Sequence, residues 1–545
     1  MSFSSTSATI GLTLTLVINA VSAADQPDSW LSFRNGGSSA VAGNLPVNFS
    51  PTNGIQWQHE TEGYGQSAPL IVNGNVVISS VIGDMKQTCA LTAYDLTSGE
   101  MVWQCKTTAS QLGPSNYMNA RAAPTPVADD SGVYCFYESG MLLAADHKGT
   151  KLWERDLAKE MGEFKSNHGL GSSLAQSDKL LFMNLEHKGP SCLLAINKSD
   201  GKARWKTDRP QGSSWTTPVV MHEHSQVIVS SAGHLAGYSI DTGEEAWKVE
   251  GLEGNTVPSP SIMKDRVFVG ARIPEFGAAR DAAPSNRCVQ VGPDSVETLW
   301  KAKNAVCDYA SPVVAGDHAY FLNKVGVLTC VNADTGQEMY RERLRTECWA
   351  TPIVAENGIH FFGKDGSVKT IATGSEFKVV STSRLWPADQ APAPESYTET
   401  TGDQSHGHGA SGHGASGHGA TAEAGSGAHK AAEGKSTSGG RRGGMIAAMM
   451  RGDSNLDGIL AADEISPDFR PMLARVDTNG DGSLDKEELE AMARSFAERR
   501  KNSRQSARDP IVYGVAAVPG TMVIRTGTRL YCISGTAGSD AEVSQ

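Results

Sequence analysis

The chain has 545 residues, a formal net charge of −12, 39% hydrophobic and 20% charged residues, and 58 glycines. The length suggests two to four domains. The negative charge argues against a nucleic-acid or anionic-membrane surface, because phosphate binding needs clustered Lys and Arg. Abundant glycine with few long apolar runs points to turn-rich β-structure.

Residues 10–21 form a short apolar run, and Val21-Ser22-Ala23 places small residues where an export signal is cut. Residues 1–23 therefore read as a signal peptide, although no Lys or Arg precedes the run. The run is too short for a membrane span, and no later stretch is long and apolar enough to supply one. No cysteine follows the predicted cut, so a lipid anchor is not expected. The expectation is a soluble exported protein, periplasmic or extracellular. Export permits disulfides. Cys89 and Cys105 flank a predicted hairpin symmetrically, and Cys307 and Cys348 stand near the starts of two successive strands. Two pairings are open on that basis, against buried free thiols such as Cys135, Cys330 and Cys532.

From residue 54 one pattern recurs. A small residue and a proline open a first strand: Ser67-Ala68-Pro69, Thr125-Pro126, Thr217-Pro218, Ser259-Pro260, Ser311-Pro312, Thr351-Pro352. Later in each unit a polar turn leads to an aromatic, as in DLTSGEMVW (95–103), NKSDGKARW (197–205) and DTGQEMY (334–340). Asp or Asn closes such a turn, and Gly takes the positive φ. The ring that follows covers the gap to a neighbouring unit. The aromatics Trp57, Trp103, Trp153, Trp205, Trp247, Trp300 and Tyr340 keep the period of a four-stranded propeller blade.

The two chain ends complete each other. Residues 54–60 read as an outer strand with nothing blade-like before them, and 513–533 read as three strands with no outer strand after them. Joined, they form one blade and leave no open edge. The predicted fold is all-β, an eight-bladed propeller of four-stranded blades at about 44 residues per blade. Seven blades follow instead if 348–385 is not a blade.

This repeat resembles that of the PQQ-repeat (quinoprotein alcohol dehydrogenase-like) propellers. The opening WLSFRNGG (30–37) and GYGQSAPLIVNG (63–74) look like the start of exported, planctomycete-type members. The resemblance covers roughly 30–385 and 512–534. It implies a fold more than a chemistry, because propellers host many unrelated functions.

The propeller expectation therefore spans 24–385, with its last strands at 512–534. Between them, 386–444 is a His/Gly/Ala-rich linker with His406, His408, His413, His418 and His429, a composition that buries no core. Residues 445–501 then carry two loops, DSNLDGILAADE (453–464) and DTNGDGSLDKEE (477–488). Oxygen ligands at positions 1, 3, 5 and 12, with glycine at 6, are the requirements of an EF-hand calcium loop. The expected ligands of one Ca²⁺ are Asp453, Asn455, Asp457, the Ile459 carbonyl and Glu464. Those of the other are Asp477, Asn479, Asp481, the Ser483 carbonyl, Asp485 through water, and Glu488. Ala461 stands where the second loop has Asp485, so the first site should be weaker. This small α-helical EF-hand pair is an insert before the last blade.

No nucleophile–base motif and no phosphate loop occurs in the chain. The expectation is a propeller scaffold that binds a protein or polysaccharide ligand, with an enzyme the lesser reading. Candidate rim residues lie just before inner strands: Arg121, His168, Trp215, Asp308 and Trp349. The alternative is a PQQ-dependent dehydrogenase, or another propeller enzyme with catalytic groups on the rim. Against the quinone cofactor, the adjacent-cysteine pair usual in those dehydrogenases is missing from the sequence.

Overall fold

A computed structural model describes residues 29–392, apart from 116–118, 167 and 274–278. It also describes scattered positions within 459–491, and residues 511–535. The signal-peptide reading, the His-rich linker and most of the insert lie outside these residues. The chain divides into two compact units, 1–394 with 509–545, and 395–508.

The first unit contains eight four-stranded antiparallel sheets, so 348–385 is a blade and the count is eight. Blade 1 runs through Leu70–Val72, Asn75–Ile82, Thr88–Asp95 and Met101–Thr108. The innermost strands of the first seven blades span only two or three residues, and the outermost strands carry most of the exposed positions. Blade 8 takes Gly514–Val518, Thr521–Arg525 and Arg529–Ser534 from the C-terminal end of the chain. Its fourth strand is Ile55–Glu60, paired antiparallel with Arg529–Ser534.

The recurring turn explains how blades pack. Glycine in the turn of one blade lies under the tryptophan of the blade before it. A Cβ on Gly99 would come within 2.8 Å of Trp57, one on Gly201 within 2.7 Å of Trp153, and one on Gly336 within 2.6 Å of Trp300. The indole N–H then donates to a carbonyl of that same turn: Trp57 to Leu96, Trp153 to Lys198, Trp205 to Ile240, and Trp300 to Ala333, at 2.7–2.9 Å. Glycine is required twice there, for positive φ and for room under the ring.

A second belt runs around the axis. The small residue before each inner strand accepts, through its hydroxyl, the backbone N–H of its counterpart one blade earlier. The bonds pass from Ala68 to Thr125, Ser173, Thr217, Ser259, Ser311 and Thr351, at 2.9–3.1 Å. This gives the repeated Ser/Thr-Pro a structural cause.

The N-terminal arm, residues 29–45, crosses the axis. Trp30 exchanges backbone bonds with Ile71 of blade 1, and the Leu31 carbonyl accepts from Ala128 of blade 2. Arg34, 3% exposed, donates to Ser261 Oγ and to the Pro260 carbonyl of blade 5. Ser39 and Val41 join blade 7 at Pro352 and Val354. Arg34 and Asn35 both hold left-handed φ, which costs each of them about 1 kcal/mol. The arm therefore ties together blades that do not touch one another.

All nine cysteines are buried free thiols. Cys89 lies opposite Thr107, and Cys105 opposite Leu91, in a register that a bulge at Ala93/Tyr94 moves by one residue. The expected pair is thus out of register. Cys307 sits in the core between blades 5 and 6, and Cys348 in the core between blades 6 and 7, so they do not meet either.

Candidate ligand-binding rim

The loops that enter the inner strands gather on one face of the propeller. Their side chains form an arc across blades 6, 7, 8, 1 and 2. Tyr309 and Trp349 stack, with ring centroids 4.6 Å apart and planes 25° apart. Trp349 meets Tyr513 edge-on at 6.1 Å, and Tyr513 meets Tyr64 edge-on at 6.3 Å. The Tyr64 and Tyr513 hydroxyls are 3.0 Å apart. The Arg121 guanidinium lies over Tyr64, 3.2 Å from the ring centroid. Tyr309 is exposed and Trp349 half-buried, whereas Arg121 and Tyr64 are buried beneath the arc.

The five candidates play unequal parts in this geometry. Trp349 is in the arc, and Lys364 Nζ stands 5.1 Å over its ring while pairing with Glu347. Arg121 supports the arc from below. Asp308 is buried, and its carboxylate accepts the N–H of Lys324 at 2.9 Å, which braces the loop that presents Tyr309. His168 and Trp215 form a separate half-buried pair at 6.0 Å, with the Trp215 indole donating to the Gly169 carbonyl. Sequence reasoning missed Tyr64, Tyr309 and Tyr513. The available signal was position, since Tyr309 directly precedes Ala310-Ser311-Pro312 and Tyr513 directly precedes the last blade.

A pyrroloquinoline quinone is a flat tricarboxylate, so its site needs an open slot between flat groups and cations facing the carboxylates. Among the described rim residues, Tyr309 and Trp349 close on each other. Arg121 is committed to Tyr64, and Arg525 to Ser67 and Ser79. These residues do not fit that cofactor.

The described part of the second unit contains the paired strands Leu460–Ala461 and Ser483–Leu484, with Leu460 opposite Leu484 and both buried. Glu464 Oε2 accepts the N–H of Ala461 at 3.1 Å, and Glu488 Oε2 that of Asp485 at 3.3 Å. Asp481 Oδ1 accepts the N–H of Ser483 at 2.8 Å. Ile459 is exposed. Oxygen donors of this kind are those a hard divalent cation takes, and among the described residues no three acidic, His or Cys side chains converge into a metal site. Asp453, Asn455, Asp457, Asp477 and Asn479 lie outside the described residues.

The geometry defines a closed eight-bladed propeller with tryptophan-docked blades, an arm across its axis and an aromatic arc on one face. A family model described as outer membrane protein assembly factor BamB matches residues 35–164, 147–281 and 285–433, and the chain belongs to that family. BamB of Yersinia pestis is 22% identical over 213 residues, 38% of this chain and 48% of that protein. BamB of Alkalilimnicola ehrlichii is 24% identical over 181 residues, 33% of this chain and 42% of that protein. The chain thus spans about half the length of the curated relatives it matches. A europium-containing methanol dehydrogenase superposes with a TM-score of 0.49 at 10% identity, over 66% of this chain and 86% of that one. No described helix is long and apolar enough to cross a membrane.

Proposed function

We propose that this chain is an exported scaffold that holds a protein segment on its aromatic rim and calcium in its inserted loop pair. One observation carries the first half. The Tyr309–Trp349 stack is a large, rigid, partly exposed aromatic surface on a loop braced by Asp308, and such surfaces anchor protein interfaces. Family membership supports the same reading, since the relatives are named as assembly factors. The arrangement positions a ligand, and no described nucleophile–base pair faces the arc. The calcium half rests on the loop pattern, the Leu460–Leu484 pairing and the two glutamates folded back onto their own loops.

The test is binding of an immobilised peptide array and an oligosaccharide array by wild type and by Tyr309→Ala/Trp349→Ala. Peptide binding that the double variant loses supports the reading. Retention by saccharides alone, or peptide binding indifferent to the double variant, overturns it. The dehydrogenase alternative is checked by incubation with the quinone and Ca²⁺. A bound chromophore with dye-linked alcohol oxidation would replace the scaffold reading.

A further inference from the structure

The outermost strand of blade 6, Glu338–Arg343, is the last strand of its sheet and pairs on one side only, with Val327–Asn332. Among the described residues its other edge carries no strand, which leaves that edge open to pair with an added one. Arg341, Arg343 and Arg345 stand at alternate positions, all exposed. Arg341 and Arg343 lie in the strand, where two residues of extended chain advance by about 6.7 Å, the pitch of every second side chain of a neighbouring strand, whereas Arg345 sits in the bend that follows, at φ +60.

The charges are unevenly satisfied. Arg341 pairs with Glu338, and Lys369 donates to the Leu344 carbonyl. Among the described residues no carboxylate lies within salt-bridge reach of Arg343 or Arg345, and Glu342 is the one acidic residue of the depression around them. The outer strand of blade 2 differs, for Lys151 and Arg155 each hold a glutamate. Arg343 and Arg345 thus stand uncompensated by any described carboxylate on a chain of net charge −12. The depression has a volume of about 850 Å³ and also exposes apolar surface, with Val327 and Phe377 beside Val379, which is 42% exposed.

We infer that this edge is a docking site for an extended acidic segment of a partner protein, added to blade 6 as a fifth strand. Backbone bonds to the free edge would give affinity, carboxylates at alternate positions would face the arginines, and apolar residues between them would cover Val379 and Phe377. This site lies on the side of the propeller and does not depend on the aromatic rim.

The probe is a fluorescein-labelled peptide of five Glu-Val repeats, with Lys-Val and Glu-Pro repeats as controls, read by fluorescence anisotropy on the full chain. The Glu-Val peptide should bind, weaken in high salt, and lose about tenfold in affinity with Arg343→Glu/Arg345→Glu. The Glu-Pro peptide keeps the charge but has lost half its backbone donors, and it should bind about tenfold more weakly than Glu-Val. Tyr309→Ala/Trp349→Ala should bind the probe as wild type does, which separates this site from the rim. The inference is overturned by absent Glu-Val binding, by equal binding of Glu-Pro, or by equal binding to Arg343→Gln/Arg345→Gln.

Discussion

Arg525 Nη1 donates to Ser67 Oγ at 2.5 Å, joining residues 458 positions apart in the chain. Its Nη2 donates to the Ser79 carbonyl at 2.7 Å. The hydroxyl belt stops here, because Ala68 and Gly514 have no hydroxyl and pack against each other directly. Arg525 therefore clasps blade 8 to blade 1 where the belt cannot. Burial pulls its pKa down to about 10, which leaves it charged at neutral pH. Arg525→Met removes the charge and leaves buried acceptors without donors, a cost of about 3 kcal/mol. Urea denaturation of variant and wild type measures it, and a loss below about 1 kcal/mol would deny the clasp.

Glycines of equal φ should respond differently to alanine. Gly336 has φ +69 and would place a Cβ 2.6 Å from Trp300, whereas Gly74 has φ +72 and nothing within 4 Å. Gly74→Ala should cost about 1 kcal/mol, which is backbone strain alone. Gly336→Ala adds the clash with the docked indole and should cost about 3 kcal/mol. Thermal melts of both variants give the difference. Equal losses would mean that the turn's conformation matters and the tryptophan dock does not.

The thiols give a chemical check on the fold. All nine are buried, and desolvation raises Cys135, Cys330 and Cys532 to about 12. The reactive species is the thiolate, so the native chain should leave a disulfide exchange reagent unreacted at pH 8. In urea all nine should titrate. Fewer than nine in the unfolded chain would reveal bridges.

The blades were legible because their signals are local. A turn glycine, its acidic neighbour and the following aromatic recur within one unit, and each has one physical job. The ring closure was legible because residues 54–60 and 513–533 are each incomplete alone. The arm was not. Trp30 and Arg34 sit in a segment with no alternation, and Arg34 bonds to a partner 227 positions away. The cysteine pairing failed because hairpin symmetry does not fix register: Cys105 faces Leu91, two positions from Cys89, and the bulge at Ala93/Tyr94 accounts for one of the two. At the rim, position before an inner strand points to Trp349, and Tyr309 and Tyr513 hold equivalent places; that these rings meet in space is a contact between blades, which no local pattern in the sequence carries.

His360 should make stability depend on acid. Its ring is buried against Asn357 Oδ1 at 3.3 Å and Thr370 Oγ1 at 3.1 Å, and burial lowers its pKa from 6.5 to about 4. A depressed folded pKa means that the unfolded chain binds the proton first. Stability from this group is complete above pH 6.5 and is lost progressively as pH falls toward 4, by up to about 3 kcal/mol. His360→Gln has no such proton to bind. The stability difference between the two chains, measured from pH 7.5 to 4.5, should shift toward the variant as pH falls. A difference independent of pH would place the acid sensitivity elsewhere.

Calcium should bind the insert in two unequal steps. Asp485 can hold a water on the second ion, and Ala461 at the matching place in the first loop offers no oxygen. The last position of each loop is a glutamate bonded to its own loop backbone, and Gln there keeps the size of the side chain while removing the carboxylate charge a calcium ion would need. Titration calorimetry should show a tighter and a weaker site, with Glu488→Gln deleting the tighter and Glu464→Gln the weaker. Chelator should reverse both and lower the helical circular dichroism, because these loops order their flanking segments when filled. Saturation by a single ion would assign the first loop to structure alone, and no uptake below about 1 mM would remove calcium from the account of this protein.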